Sequence, residues 1–468
     1  MCKFPSIEHE TLIGLDKMAS ETIFALSTAP GQAGVAVIRI SGSTAKLVLE
    51  KMSSSFPEPR VAALIKLFDP EDKAELDRCL ALWFPGPSSF TGEDVVELHL
   101  HGGRAVVDGT IEALAKLPDF RPAEAGEFTR RAFDNDKLDL TEVEGLSDLI
   151  AAETEAQRKQ AIRQMDGELS KLVEGWRNRL VRMLAYLEAE IDFPDEELEE
   201  GISAQVKHNI EQLIEDIKHH LAESHRGERL RNGIKIAIVG PPNAGKSSLL
   251  NALARREVAI VSDVAGTTRD IIEVHLDLSG YPVIVSDTAG LREIEENTTD
   301  GIELEGIRRA KQNAESADLC LAVFDIADRD NFDTETLKLL NSDNSFVALN
   351  KNDLNQADQT IPSSVSGFDI TKISTKSSDG LDILLEKLNS WVVSNMGQSG
   401  SSSGITRQRH RSALLECLDS LGRSLETDLP ELCAEDLRLA TRYLGRITGK
   451  VDVEELLDVI FRDFCIGK

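Results

Sequence analysis

Cysteine is thin and scattered in this chain: the six, at positions 2, 79, 320, 417, 433 and 465, form no C-x-x-C pair. Neither a zinc site nor a disulfide framework is suggested, and a reducing, cytoplasmic setting is expected. Long apolar runs are missing as well. No stretch approaches the roughly 20 apolar residues of a membrane span, so a soluble protein without membrane attachment is expected. Residues 1–19 carry Glu8, Glu10 and Asp16 and no apolar run, which argues against a secretory signal or an Arg-rich transit peptide; Met18 offers an alternative start. Positive charge is in deficit, 52 Lys and Arg against 81 Asp and Glu, for a formal charge of −29. Such a field repels nucleic acid at long range, so any RNA contact must come from local basic patches.

At 468 residues the chain is too long for one core and suits two to four domains. TIFALSTAPGQAGVAVIRISG, ending at Gly42, reads as two short apolar strands around a Pro/Gly loop, and residues 81–103 repeat that style before a helical run at 104–117. A small α/β domain over 1–134 is expected. From Lys137 to about Ile191, and from Val206 to about Leu230, the sequence is amphipathic and Gly-poor, with Pro194 its single proline. Residues 135–232 therefore read as helical-bundle sequence. At Gly233 the style changes to IKIAIV and a Gly-rich turn, and PVIVSDT, LCLAVFD and FVALNK follow at α/β spacing, which predicts a parallel-sheet domain over 233–391. MGQSGSSSG at 396–404 is a linker by composition, and Arg407 to Ile460 is helical again, within a last part over 392–468. A sheet domain flanked on both sides by helical sequence suggests insertion into one discontinuous helical domain; two separate helical domains would look alike.

Gly240-Pro241-Pro242-Asn243-Ala244-Gly245-Lys246-Ser247 fits G-x-x-x-x-G-K-[ST] between a strand and the apolar helix LLNAL. Its backbone N–H groups wrap phosphates, with Asn243, Ala244, Gly245 and Ser248 around them; Lys246 reaches the β/γ-phosphates, and Ser247 offers a hydroxyl to Mg²⁺. Asp287-Thr288-Ala289-Gly290 closes PVIVS about forty residues on, where a carboxylate must face Mg²⁺ and a glycine N–H sense the γ-phosphate. Asn350-Lys351-Asn352-Asp353 follows FVAL, and the Asp353 carboxylate accepts two hydrogen bonds only from a base with N1–H and a 2-amino group, which is guanine. Ser374-Thr375-Lys376 fits the last guanine loop. Thr268, with Thr267 in TTRD, is the expected switch I ligand of Mg²⁺ and the γ-phosphate. GTP is the implied nucleotide. Leu291 stands where Ras-type enzymes carry a water-orienting glutamine, so something else must place the water.

Asn243, with SDVAGTT at 262–268, resembles the potassium loop of the MnmE (TrmE) family of tRNA-modification GTPases. That resemblance implies a K⁺ held by Asn243 and the backbones of Ser262, Val264 and Thr267, and a catalytic glutamate at Glu303 in IELEGIRRA; a solvated helix-start carboxylate is the alternative for Glu303. It extends to PGQAGVAVIRISG at 30–42, FPGPSSFTGEDVVELHLHGG at 84–103, RPAEAGEFTRRAFDNDKLDL at 121–140, AEIDFPDEE at 189–197 and the terminal FCIGK. The implied architecture is α/β plus α: an N-terminal folate-binding and dimerisation domain, a discontinuous helical domain and an inserted Ras-like P-loop GTPase domain, working as a homodimer. Arg39, Glu97, Lys137 and Lys468 are the implied contacts to a tetrahydrofolate one-carbon carrier, 5-formyl or 5,10-methylene. A pterin edge suits a carboxylate, and the glutamate tail of folate suits Arg and Lys. A flavin-dependent partner, MnmG (GidA), in a heterotetramer with the homodimer, is implied for an aminomethyl or carboxymethylaminomethyl-type addition at carbon 5 of a tRNA wobble uridine. A partner is needed because no dinucleotide G-x-G-x-x-G follows a strand.

Other features have plainer readings beside them. Cys465 falls beside the folate by resemblance, or is an inert buried thiol. His99 and His101 share one strand face and permit a metal pair, but no third ligand recurs nearby, which favours a structural role. Arg158, Lys159, Arg163, Lys171, Arg177, Arg179 and Arg182, with TRQRHR at 406–411, are either a solvated helix face or the local basic relief for tRNA. A ribosome-assembly GTPase and a nucleotide-gated scaffold are the rival functions.

Overall fold

The computed structural model describes residues 21–192, 202–256, 258–260, 273–287, 311–354, 362–397, 404–427, 429–451, 457, 460–462, 464 and 466–467. The chain divides into two compact units, one of residues 1–147 with 444–468 and one of residues 148–443. Among the described residues no helix is long and apolar enough to cross a membrane.

In the first unit β1 (Thr22–Leu26), β2 (Ala33–Ser41), β3 (Ala63–Phe68), β4 (Glu75–Phe84), β5 (Val95–Gly102) and β6 (Phe120–Pro122) form a sheet ordered β3-β4-β5-β2-β1-β6. All pairs are antiparallel except β1 with β6. Side-chain alternation makes the two faces chemically distinct. Ile38 and Ile40 of β2 and Val96, Leu98 and Leu100 of β5 are buried on one face, against Val48, Leu49 and Met52 of α1 (Leu47–Met52) and Ala113 and Leu114 of α2 (Arg104–Ala115). On the other face Ile23 and Ala25 of β1 pack with Phe128 of α3 (Glu127–Asp134). A third cluster joins Leu140 and Val143 of α4 (Leu140–Ala151) to Leu457, Phe461 and Phe464. The last residues return to the sheet, where Ile466 bridges Ala125 and Ser27 Oγ donates to the Gly467 carbonyl at 2.8 Å.

The strand read at the start of residues 81–103 begins earlier, at Glu75, and β3 and β6 escaped the sequence reading. The first half of β4 is ELDRC, charged at three of its five positions, and β3 and β6 are the sheet edges, so none shows a long apolar run.

The second unit opens with α5 (Glu155–Met165), α6 (Glu168–Asp192) and α7 (Ile202–Asn232). Residues Leu169, Val173, Trp176, Leu180, Met183 and Leu187 of α6 recur every three or four positions and are buried, as are Val206, Ile210, Leu213 and Ile217 of α7. Thr154 caps α5 in a capping box with Gln157. Asn232 and Gly233 then lead into β7 (Ile234–Val239), and the chain continues through α8 (Lys246–Ala254), β8 (Glu273–Leu278), β9 (Tyr281–Asp287), β10 (Leu319–Asp325), α9 (Thr334–Lys338), β11 (Ser345–Asn350), β12 (Ser364–Val365), β13 (Phe368–Lys372) and α10 (Leu381–Met396). The sheet order is β12-β13-β11-β10-β7-β9-β8. Its five central strands run parallel, and β8 and β12 are antiparallel edges.

Both faces of this sheet are covered at its middle, which is why β7 and β10 are almost continuously apolar. Ile236 and Ile238 of β7 and Leu321 and Val323 of β10 join one core with Leu249 and Leu253 of α8 and Leu384 and Leu388 of α10. Ala237, Val239, Ala322 and Phe324 join the other. Two further helices, α11 (Gln408–Glu426) and α12 (Pro430–Thr448), replace the continuous run read from Arg407 to Ile460; they part at residues 427–429, ahead of Pro430, whose ring favours a first helical position.

Candidate nucleotide-binding site

The site lies at the carboxyl ends of the parallel strands, where helix N-termini leave unpaired N–H groups. β7 runs into Gly240, whose φ is 152° and at which a Cβ would stand 2.2 Å from the Val323 carbonyl oxygen, so only glycine fits beside β10. Asn243 is exposed and holds the left-handed region at φ 64°, which curls the loop before Gly245 at φ 96° opens α8. A Cβ on Gly245 would meet Asn350 Nδ2 at 2.2 Å. Lys246 is buried, and its Nζ donates to the Gly240 and Pro241 carbonyls at 2.8 and 2.9 Å, held on the inner side of the loop.

Ser247 Oγ donates to Asp287 Oδ2 at 2.5 Å. β9 delivers Asp287, buried, beside Ile238 in register. A hydroxyl and a carboxylate in contact form a hard oxygen pair of the kind Mg²⁺ takes, with room left for phosphate and water. The donor set therefore fits the metal that the sequence implied.

The base-recognition side is assembled from two strand ends. Asn350, fully buried, donates from Nδ2 to the Ala244 carbonyl at 3.0 Å and accepts from the Thr375 amide at 3.1 Å. One side chain thus braces the phosphate loop against the last guanine loop. Lys351, at φ 65°, places Nζ 2.5 Å from Asp325 Oδ2. Ser374 Oγ donates to Asp353 Oδ1 at 2.7 Å and accepts from the Ser377 amide, which orients the carboxylate that would read guanine. Lys376 is exposed beside them, and Ser248 lies in the exposed first turn of α8. Asp325 and the bracing role of Asn350 were not legible in the motif, because β10 and β11 bring them side by side only in register.

Ser262, Val264, Thr267, Thr268, Thr288, Ala289, Gly290 and Glu303 lie outside the described residues, as do Cys465 and Lys468.

In the first unit Arg39 and Glu97 are cross-strand partners on β2 and β5, with Arg39 Nε and Nη2 each 3.0 Å from Glu97 Oε1. The Arg39 guanidinium also lies 5.4 Å from the Phe90 ring centre and 5.9 Å from that of Phe128. Lys137 is exposed after α3, its backbone N–H closing on the Ala132 carbonyl. His99 Nε2 lies 3.5 Å from Glu97, and His101 Nδ1 bonds Asp77 at 2.7 Å. No cluster of metal-ligating side chains occurs among the described residues. Cys79, Cys320, Cys417 and Cys433 are free and buried; burial pushes the Cys79 and Cys417 thiols up to about 12, which makes them unreactive. Of the basic stretch, Arg158 and Lys159 pair with Glu155, Arg177 with Glu174, and Arg179 with Asp216.

Two family models match. One described as the MnmE helical domain covers residues 140–465, and one described as the GTP-binding protein TrmE N-terminus covers residues 22–137. A Parvibaculum lavamentivorans protein named tRNA modification GTPase MnmE is 55% identical over 454 residues, spanning 96% of this chain and 100% of the relative. A Rhodospirillum rubrum protein of the same name is 51% identical, again over 96% of this chain and 100% of the relative. The human mitochondrial protein named 5-taurinomethyluridine-[tRNA] synthase subunit GTPB3 is 47% identical over 96% of this chain and 93% of its own length. With the phosphate loop, the Ser247–Asp287 pair and the guanine-reading loops assembled at one sheet end, and with likeness running almost the whole length, the chain belongs to the MnmE (TrmE) family of tRNA modification GTPases.

Proposed function

We propose that this chain is a potassium-activated GTPase that, as a homodimer with a flavin-dependent MnmG (GidA) partner, modifies carbon 5 of the wobble uridine of certain tRNAs. The one-carbon unit would come from a tetrahydrofolate derivative, and the GTPase domain of residues 233–391 would sit within a discontinuous helical domain of 135–232 and 392–468. The observation that carries the GTPase reading is Asn350, which holds the Ala244 carbonyl of the phosphate loop and the Thr375 amide of the guanine loop at once. GTP binding and hydrolysis follow from that assembly: Lys246 and the loop amides hold phosphate charge, and Asp353 selects guanine. Mg²⁺, held by Ser247 and Thr268, would neutralise charge on the β- and γ-phosphates.

Potassium rests on Asn243, which stands exposed at the turn of the phosphate loop, where its side-chain oxygen is available to a cation. Tetrahydrofolate rests on Arg39 and Glu97, an ion pair flanked by two aromatic rings that would accept a planar, polar-edged ligand. The partner and the tRNA rest on the family and on the word subunit in the name of the human relative.

GTP hydrolysis should be faster in KCl than in NaCl, and Asn243→Ala should abolish that difference while GDP binding survives. Equal rates in both salts for the unaltered chain would sink the potassium assignment. Calorimetric titration with 5-formyltetrahydrofolate should give saturable binding that Arg39→Ala removes. No heat from a chain that still hydrolyses GTP would remove the folate assignment.

A further inference from the structure

The β8–β9 hairpin is held from outside its sheet. Chain order places its start directly after residues 261–272, which include Thr267 and Thr268, and its end at Asp287, directly before Thr288-Ala289-Gly290. Whatever fixes this hairpin therefore sits between the two segments that must answer to the γ-phosphate. β8 is the last strand of its sheet, and among the described residues its outer edge is met by the short segment 258–260, where the Ile260 amide donates to the His275 carbonyl at 2.8 Å and the Asp277 amide to the Val258 carbonyl at 2.7 Å.

Beyond that bridge and the core packing of Leu276, Leu278 and Tyr281, three hydrogen bonds tie the hairpin to segments outside the sheet. His275 Nδ1 of β8 donates to Glu153 Oε2 at 2.8 Å. The Gly280 carbonyl at the hairpin turn accepts from the Ala156 amide, a first-turn N–H of α5, at 3.2 Å. Tyr281 Oη donates to the Gly397 carbonyl just beyond α10 at 2.9 Å. Two of the three come from the entry to α5, and that entry is itself stiff. Gln157 Oε1 accepts from the Glu153 and Thr154 amides, while Gln157 Nε2 donates to the Arg231 carbonyl at the end of α7. Asp148 Oδ1 then accepts from Arg231 Nε and Arg407 Nη2, each at 2.8 Å, tying in the start of α11. A continuous set of hydrogen bonds thus runs from β8 through the α5 entry to the ends of α7 and α11, all inside the second unit.

We propose that Glu153 is a positioning residue for the GTPase cycle: through His275 it holds the β8–β9 hairpin and couples the nucleotide state to the α5–α7–α11 junction. Among the described residues Glu153 is bonded to none assigned to nucleotide, so the effect argued for it runs through the hairpin. The coupling is reciprocal, and a change at the junction reaches the hairpin by the same bonds. This inference rests on the GTPase reading.

The test uses the full chain with Glu153→Ala, Glu153→Gln, His275→Ala and the Glu153→Ala/His275→Ala double variant. Three readouts are needed: GDP affinity, kcat for GTP hydrolysis, and hydrogen exchange of the α5 amides with GDP and with a non-hydrolysable GTP analogue. Glu153→Ala should keep GDP affinity and lower kcat by about fivefold or more, and it should erase the nucleotide dependence of exchange at α5. Glu153→Gln, whose amide oxygen can still accept from His275, should retain most of both. His275→Ala should match Glu153→Ala, and the double variant should lose nothing further, because one bond is removed either way. Wild-type kcat with undiminished nucleotide-dependent exchange in Glu153→Ala overturns the proposal, as do fully additive losses in the double variant. A chain that binds no guanine nucleotide at all overturns the GTPase reading instead, and the two failures are distinguished by GDP affinity.

Discussion

Asp353 shows how much selectivity one carboxylate can carry. Ser374 Oγ fixes one of its oxygens at 2.7 Å, so the group enters binding already oriented and as an acceptor only. Guanine offers two donors to match. Asp353→Asn would turn one acceptor into a donor facing the 2-amino group, costing about 2 kcal/mol of GDP affinity, whereas a base with oxygen at carbon 2 would gain a partner. Competition binding should therefore show GDP weakened by about thirtyfold and xanthosine diphosphate strengthened; unchanged preference would mean that Asp353 does not read the base. Asn350 illustrates the complementary case of a motif residue whose work is internal. Its two amide atoms are both taken by the protein, which places it in the frame of the site and leaves base reading to Asp353.

At the scale of elements, α3 is seated by charge as much as by Phe128. Glu127, in its first turn, takes Arg121 through both oxygens at 2.6 and 2.8 Å and also accepts from Arg131 at 3.0 Å, while Arg131 reaches Glu93. Burial alone would push the Glu127 carboxyl up, but the Arg121 hydrogen bonds, the Glu124 amide and Arg131 outweigh it and hold it below the usual carboxylate range. A folded value below the unfolded one means the stabilisation is whole above the unfolded value, near pH 4.3, and is lost as pH falls through the folded value. Denaturant unfolding of the chain should lose stability from about pH 5 downward. Glu127→Gln should be less stable at neutral pH and should lose less of its stability on acidification; parallel pH profiles for the two proteins would refute the assignment. The same logic explains why β3, β6 and the first half of β4 were hard to read from sequence. Lys66 of β3, Arg121 of β6 and Glu75 and Arg78 of β4 interrupt the apolar residues, and a half-buried edge strand needs only a few of those, so its period is weakly written.

At the scale of the molecule, the second unit depends on a late segment returning to an early helix. Ile405 and Thr406 are buried; Thr406 Oγ1 donates to Gln164 Oε1, and Arg407 reaches Asp148, across more than two hundred residues of chain. Gly227 of α7 makes the close approach possible, since a Cβ there would stand 2.4 Å from the Ile405 carbonyl oxygen. Gly227→Ala should displace residues 404–407 at a cost of about 1–3 kcal/mol, of which helix propensity would return roughly 1 kcal/mol. The thermal midpoint should fall by the difference, and a raised midpoint would show that this contact yields without cost. The two helical stretches read at 135–232 and 392–468 looked alike whether they formed one domain or two. Nothing in either stretch alone says that Thr406 meets Gln164, because that meeting depends on where the sheet between them begins and ends.

The nucleotide chemistry is written in the order of residues alone, because each demand of the phosphate loop and the guanine loops is local: glycine where a Cβ collides, a lysine and a hydroxyl at a helix start, a carboxylate at a strand end. The style of each region is written there too, through apolar period. The tertiary structure decided which distant groups complete the site. Asn350 with Ala244, Lys351 with Asp325, Arg39 with Glu97 and Glu153 with His275 are far apart in the chain, and only strand order and register put them in contact. A hydrogen bond acts over about 3 Å, a separation that sequence spacing does not encode.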